Sequence, residues 1–267
     1  MMNKQTLAIV GGGKLAAIIV DALNAGLLKD FQLVGTYSRT FEKAEKIANL
    51  LEQSTANQQC TPCSSITELL ALKPDYIVEA ASPSAMLEFA IPALENGSSI
   101  VTLSIGAFAD SEFYQKVKDT ARSNNTRVYI ASGAIGGLDV MRTVSLMEHC
   151  SATFDTEKGP DSLKKAAFYK DELQTEKQRV FEGNAEEAIA VLPTSVNVAV
   201  AASIASVGPK NMKVSITSTP KFVGDRHRIQ VKSEHVDAVV DVYSKNSEIA
   251  GWSVVNTLRN ITSPIVF

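Results

Sequence analysis

The sequence predicts an α/β chain: a doubly wound parallel sheet, then a smaller α+β domain with a mostly antiparallel sheet. Three observations lead there. Short apolar runs alternate with helix-length segments through the first half, which is the rhythm of βαβ units. The first apolar run ends in three glycines that open a helix. Beyond about residue 132 three stretches alternate with period two, as strands with one wet face do.

Taken in order, Leu7–Val10 predicts the first strand and Leu15–Leu28 an apolar-rich helix. Phe31–Tyr37 predicts a strand, and a polar helix should run from Phe41 to about Gln53. Asp75–Glu79, Ser99–Leu103 and Arg127–Ile130 read as further strands, separated by helices over Ser84–Glu95 and Asp110–Arg122. Ser82-Pro83 and Asp110 stand where helix starts need them. Residues 157–179 carry six basic and five acidic groups and read as solvated surface. A strand at Arg179–Glu182 follows, then helices opening near Asn184 and Val196. The period-two stretches are Lys213–Ser218, Arg226–Lys232 and Val236–Val242, and a last helix covers about Glu248–Ile261. Two domains are expected, over residues 1–132 and 133–246, with the helix of about 247–267 after them.

Composition removes several classes of function. The 267 residues hold 26 basic and 29 acidic groups, for a formal charge of −3, so the electrostatic footprint of a nucleic-acid binder is missing. With 45% hydrophobic and 21% charged residues, disorder and low-complexity classes drop out. The longest mostly apolar stretch, Val196–Val207, is too short to span a bilayer. Met1–Thr6 leads straight into Leu7–Val10 without a secretory pattern, and the expected location is cytoplasmic. Three cysteines make a poor disulfide framework. Cys60-Thr61-Pro62-Cys63 has redox or zinc spacing but lacks the four ligands a zinc site needs; it reads as two thiols in a loop, and no metal is expected.

Gly11-x-Gly13-x-x-Ala16 supplies a tight turn, a side-chain-free approach and a small packing residue. The helix N-terminus at Lys14 and Leu15 then offers N–H groups to an anion. In its βαβ setting this is the pyrophosphate cradle of a Rossmann-type dinucleotide fold, though a strand–glycine turn–helix can also be purely structural. After the second strand an acidic residue would hold a ribose 2′-hydroxyl. Here Ser38-Arg39-Thr40 stands instead, a set suited to a 2′-phosphate; NADP is favoured over NAD. The simpler reading of Arg39 is a solvent-facing cation. Three small-residue loops end strands where ligands lie in doubly wound sheets: Glu79-Ala80-Ala81-Ser82-Pro83, Ser104-Ile105-Gly106-Ala107 and Ser132-Gly133-Ala134-Ile135-Gly136-Gly137. Ala81, Ser82 and Ser104 are cofactor-contact candidates.

Those loops, with Leu138-Asp139, Val180-Phe181-Glu182-Gly183-Asn184-Ala185, Leu192-Pro193-Thr194-Ser195-Val196-Asn197-Val198-Ala199, Asp225-Arg226-His227 and Ser263-Pro264-Ile265, resemble the L-aspartate dehydrogenase family over nearly the whole chain. The resemblance implies NAD(P)-dependent oxidation of L-aspartate through iminoaspartate to oxaloacetate and ammonia, or the reverse. It further implies cofactor contacts at Ala134 and Asn197, a catalytic His227, and a C-terminal helix that returns to the cofactor domain. A homodimer or larger homo-oligomer built through the second domain's sheet, and a role in NAD biosynthesis, are implied as well.

The residues agree in kind. His149 sits at a helix end and His235 in a hairpin turn, whereas His227 begins a strand between Arg226 and Arg228. Those cations should keep its imidazole neutral, as a general base requires. A dicarboxylate also needs cationic anchors. Strand alternation points Arg226 and Arg228 away from the His227 face, leaving Lys164, Lys165 and Lys245 as candidates. Two other functions fit part of the pattern: an NADP-dependent reductase of another imine or oxo acid, and a non-catalytic NADP-sensing protein.

Overall fold

A computed structural model describes residues 4–51, 60–192 and 196–267. The chain forms two compact units. One comprises Met1–Ala107, Ser111–Ala131 and Ala250–Phe267; the other comprises Phe108–Asp110 and Ser132–Ile249.

The first unit runs β1 (Gln5–Val10), α1 (Lys14–Asn24), β2 (Phe31–Tyr37), α2 (Phe41–Asn49), β3 (Thr61–Cys63), α3 (Ile66–Ala71), β4 (Tyr76–Glu79), α4 (Pro83–Glu95), β5 (Ser99–Thr102), α5 (Ser111–Ser123) and β6 (Val128–Ile130). All its strand pairs are parallel, in the order β3-β2-β1-β4-β5-β6. The order turns back between β1 and β4, the switch point where such sheets leave a crevice at the strands' carboxyl ends. Leu7, Ile9, Leu33, Val78 and Val101 are buried in one core, which is why these strands read as unbroken apolar runs. Val254, Val255 and Leu258 belong to that core; they lie on the last helix of the chain, Glu248–Thr262.

β3 and α3 were not expected. β3 is a three-residue edge strand containing Pro62, a residue tolerated there because an edge leaves one side unpaired. The Cys60–Cys63 segment is therefore sheet edge and not loop. Burial pushes the Cys60 thiol up to about 12 and raises Cys63 too, so neither is a reactive thiolate at neutral pH. α3 carries a start signal in Ser65, whose hydroxyl accepts from the Glu68 N–H, while Glu68 reaches back to the Ser64 N–H. The helix from Phe41 ends at Asn49, and Gln53 lies outside the described residues.

The second unit runs α6 (Leu138–Met147), β7 (Ser151–Lys158), β8 (Gln178–Asn184), α7 (Ala185–Val191), α8 (Asn197–Ile204), β9 (Lys213–Ser218), β10 (Asp225–Lys232) and β11 (Asp237–Ser244), with the last helix numbered α9. Its sheet order is β11-β10-β7-β9-β8. Only the β7–β9 pair is parallel; β10–β11, β10–β7 and β8–β9 are antiparallel. The helix end expected at His149 is that of α6, which closes at Met147; the central strand β7 was not foreseen. In β7 the inward residues are Ala152, Phe154, Thr156 and Lys158, and two polar side chains on the inner face hide the apolar alternation. The same strand corrects the reading of residues 157–179 as solvated surface: Lys158, Leu163, Ala166 and Leu173 are all buried.

Candidate functional sites in the two units

In the first unit, Gly11 leaves β1 at φ +133°, and a Cβ there would stand 2.5 Å from the Ala80 carbonyl oxygen. The turn and the approach of the β1 and β4 ends both require glycine. Gly13 differs. It occupies the N-cap of α1 at φ −102° without a side-chain cap, and a Cβ there would meet no protein atom within 4 Å. Open space beside uncapped helical N–H groups suits an anion. Lys14 is exposed and Leu15 half-buried at that helix start, and Ala16 is fully buried beneath it. Ser38 is half-buried and lies near Gly12, while Arg39 and Thr40 are exposed at the end of β2. Among the described residues Arg39 forms no ion pair. The turn at Gly11 and the open approach at Gly13 thus leave room for an anionic group at the α1 start.

The β4 end is organised by Glu79, which sequence reading took as the end of a strand and the first residue of a loop. Its side chain is fully buried. Oε1 accepts from the Ala81 N–H (2.8 Å), the Ser82 N–H (2.9 Å) and the Ser104 hydroxyl (2.8 Å); Oε2 accepts from the Thr102 hydroxyl (2.8 Å) and the Ser104 N–H (3.0 Å). Burial raises this carboxyl above its ordinary value, opposed by the hydrogen bonds from Ala81, Thr102 and Ser104. Ser104 is therefore committed to Glu79 through both its N–H and its hydroxyl. Ser82 caps α4 by accepting from the Ala85 N–H, and Ala81 is exposed beside it. A depression of about 1340 Å³ lined by Gln5, Tyr76 and Arg259 lies at the opposite ends of β1 and β4.

In the second unit, His227 is the third residue of β10, not its start, and only 3% exposed. Its Nδ1 lies 2.9 Å from Thr156 Oγ1 on β7, and its ring lies against Phe154, centroids 5.4 Å apart. The imidazole is pulled down to about 4, by burial first and the Lys158 charge second, with Asp225 opposing. The flanking arginines are not the cause. Arg226 and Arg228 emerge on the opposite, exposed face and both pair with Asp241. The expected neutrality thus has a different origin, desolvation first and Lys158 second.

Ala134 is half-buried in the turn that follows Gly133, and Asn197 is half-buried as the first residue of α8. Pro193, Thr194 and Ser195 lie outside the described residues. The expected carboxylate anchors are scattered: Lys164 is exposed and bound to Asp161 at 2.7 Å, and Lys165 and Lys245 are exposed. Sequence reading missed Lys158, which is 3% exposed and 2.7 Å from Asp225. Glu148, Glu234 and His235 form a metal-capable cluster among the described residues, with His235 Nδ1 already engaged by Glu148 at 3.0 Å. No helix among the described residues is long and apolar enough to cross a membrane.

Residues 139–261 match the family model for the aspartate dehydrogenase C-terminal region. Residues 11–131 match the model for a homoserine dehydrogenase NAD binding domain. The chain is 33% identical to L-aspartate dehydrogenase of Methanococcus maripaludis strain C5 over 270 residues, covering 97% of each. It is 32% identical, with the same coverage, to that of Methanocaldococcus jannaschii. Among solved structures it resembles aspartate dehydrogenase from Thermotoga maritima, at 26% identity and TM-score 0.78 over 99% of this chain and 100% of the other.

Proposed function

The chain belongs to the L-aspartate dehydrogenase family, and on that footing we propose that it interconverts L-aspartate with oxaloacetate and ammonia through iminoaspartate. A nicotinamide dinucleotide, when bound, supplies the hydride acceptor or donor. Gly11, Gly13 and the α1 N-terminus at Lys14 and Leu15 would hold its diphosphate. Ser38, Arg39 and Thr40 would hold a 2′-phosphate, so NADP is the preferred form. Ala81 and Ser82, with Ala134 and Asn197, complete the set, and Ser104 contributes through Glu79.

The observation that carries the reading is His227. A buried imidazole that stays neutral through physiological pH, with Nδ1 held by a hydroxyl and Nε2 left for chemistry, is a base ready to accept a proton. The Thr156 hydroxyl can accept from Nδ1–H or donate to bare Nδ1, so it serves either tautomer. In deamination His227 would take a proton from the substrate ammonium or from the water that attacks the imine carbon. In the reverse direction it would return one. Assembly as a homo-oligomer through the exposed face of the second sheet belongs to the same proposal.

Following NADPH absorbance with oxaloacetate plus ammonia, alongside a panel of other oxo acids, tests the assignment. Oxidation requiring both oxaloacetate and ammonia supports it. Preference for another oxo acid moves the chain to a different reductase activity, and tight NADPH binding without turnover makes it a sensor.

A further inference from the structure

Two buried polar groups in the second unit are left without full satisfaction, and they stand side by side. Lys158 and Ser218 are register partners on β7 and β9, and directly paired residues project from the same sheet face. Ser218 is fully buried, and its Oγ is the one buried side-chain polar atom among the described residues with no hydrogen-bond partner. Lys158 Nζ carries three donors; among the described residues only the bond to Asp225 is made. A buried ammonium with spare N–H groups beside an orphaned hydroxyl is costly unless a further acceptor completes it.

The sheet places this pair relative to His227. Asp225, Lys158 and Ser218 form one row across β10, β7 and β9, and His227, Thr156 and Ile216 form the next row on the same face. Two residues along a strand span roughly 7 Å, the scale of a four-carbon dicarboxylate reaching from its reacting carbon to a carboxylate. Asp225, with its side chain 38% exposed, pairs with the ammonium and marks the open end of the row. The exposed lysines and the Asp241-bound arginines offer nothing comparable.

We propose that Lys158 Nζ and Ser218 Oγ form the subsite that binds a carboxylate of the substrate, one row of the sheet from His227. The assignment rests on the reading of His227 as the proton-transfer group, and it names the cation that a dicarboxylate substrate needs. The carboxylate accepts one N–H from Lys158 and the hydroxyl proton of Ser218, completing both groups.

The test combines oxaloacetate kinetics with calorimetric binding of succinate in saturating NADP, for the wild type, Lys158→Met and Ser218→Ala. Lys158→Met should weaken succinate binding and raise the oxaloacetate KM by about tenfold to a hundredfold, with the NADPH KM unchanged. Ser218→Ala should raise both by about threefold to tenfold, the range for a neutral donor. It removes an unbonded hydroxyl, so it decides the matter alone if Lys158→Met does not fold. Wild-type turnover with unaltered succinate affinity in the variants overturns the subsite and leaves the proposed activity standing. Lys158-dependent succinate binding without wild-type turnover overturns the activity and keeps the subsite. A wild type that binds no succinate overturns the subsite.

Discussion

Thr156 and His227 face each other across the antiparallel β7–β10 pair, with the threonine hydroxyl 2.9 Å from the imidazole Nδ1. The hydroxyl holds the ring through Nδ1, and in the proposed mechanism Nε2 would carry the proton. Thr156→Val keeps the shape and removes the bond, worth about 1 kcal/mol. kcat should fall about fivefold with the NADPH KM unchanged, whereas His227→Ala should abolish turnover and spare NADPH binding measured by fluorescence. Normal turnover in the His227 variant would remove the imidazole from the mechanism.

Stability should depend on pH through the same ring. The folded imidazole titrates near 4 and its ordinary value is 6.5. Between those values the unfolded chain binds a proton that the folded chain refuses. The stabilisation is complete above pH 6.5 and drains away as pH falls through 4, by on the order of 3 kcal/mol. Urea unfolding from pH 4 to 8 should show this slope, and His227→Gln should flatten it.

The two cradle glycines should behave differently. Gly11→Ala forces a Cβ onto the Ala80 carbonyl at φ +133° and should cost about 2 kcal/mol or more. Gly13→Ala meets open space; it should cost under about 1 kcal/mol, the scale of an N-cap change, yet weaken NADPH binding. Thermal melts and cofactor titrations on the two variants check this, and equal stability losses would count against the cradle at Gly13.

Arg39→Ala should lower the preference for NADPH over NADH by about tenfold to a hundredfold, since the lost group makes a charged hydrogen bond. The ratio of kcat/KM values for the two cofactors is the readout. An unchanged ratio would leave Arg39 as a surface cation.

Glu79→Gln replaces an acceptor-only carboxylate with an amide, whose NH2 must then face N–H groups of Ala81 and Ser82 or of Ser104. The Thr102 and Ser104 hydroxyls can turn; the backbone cannot. A loss of about 2 kcal/mol in stability is expected, together with a raised cofactor KM as both strand-end loops loosen. Differential scanning calorimetry and cofactor titration measure the two effects.

The first unit was legible because its determinants are local. Strands buried on both faces are apolar throughout, and Gly11 and Gly13 announce a turn and a helix start within a few residues. Phe31–Tyr37 and Lys213–Ser218 came out with the observed limits, while β3 escaped because three residues containing Pro62 carry no strand pattern. Glu79 escaped for another reason. Three of its five hydrogen bonds come from Thr102 and Ser104, more than twenty residues away, and local sequence does not mark a buried carboxylate.

By itself, then, the sequence determined two domains' worth of alternating and period-two elements, the glycine cradle and the singular setting of His227. Tertiary structure decided which polar side chains lie inside. Thr156 and Lys158 look like surface residues in a charged run, and Lys164, Lys165 and Lys245 look equally able to anchor an anion. Only the pairing of β7 with β10 and β9 buries Lys158 against Asp225, 67 residues along the chain, and beside Ser218. The cost of burying a charge is offset by partners that folding brings from far away, and local patterns of polarity do not record those partners.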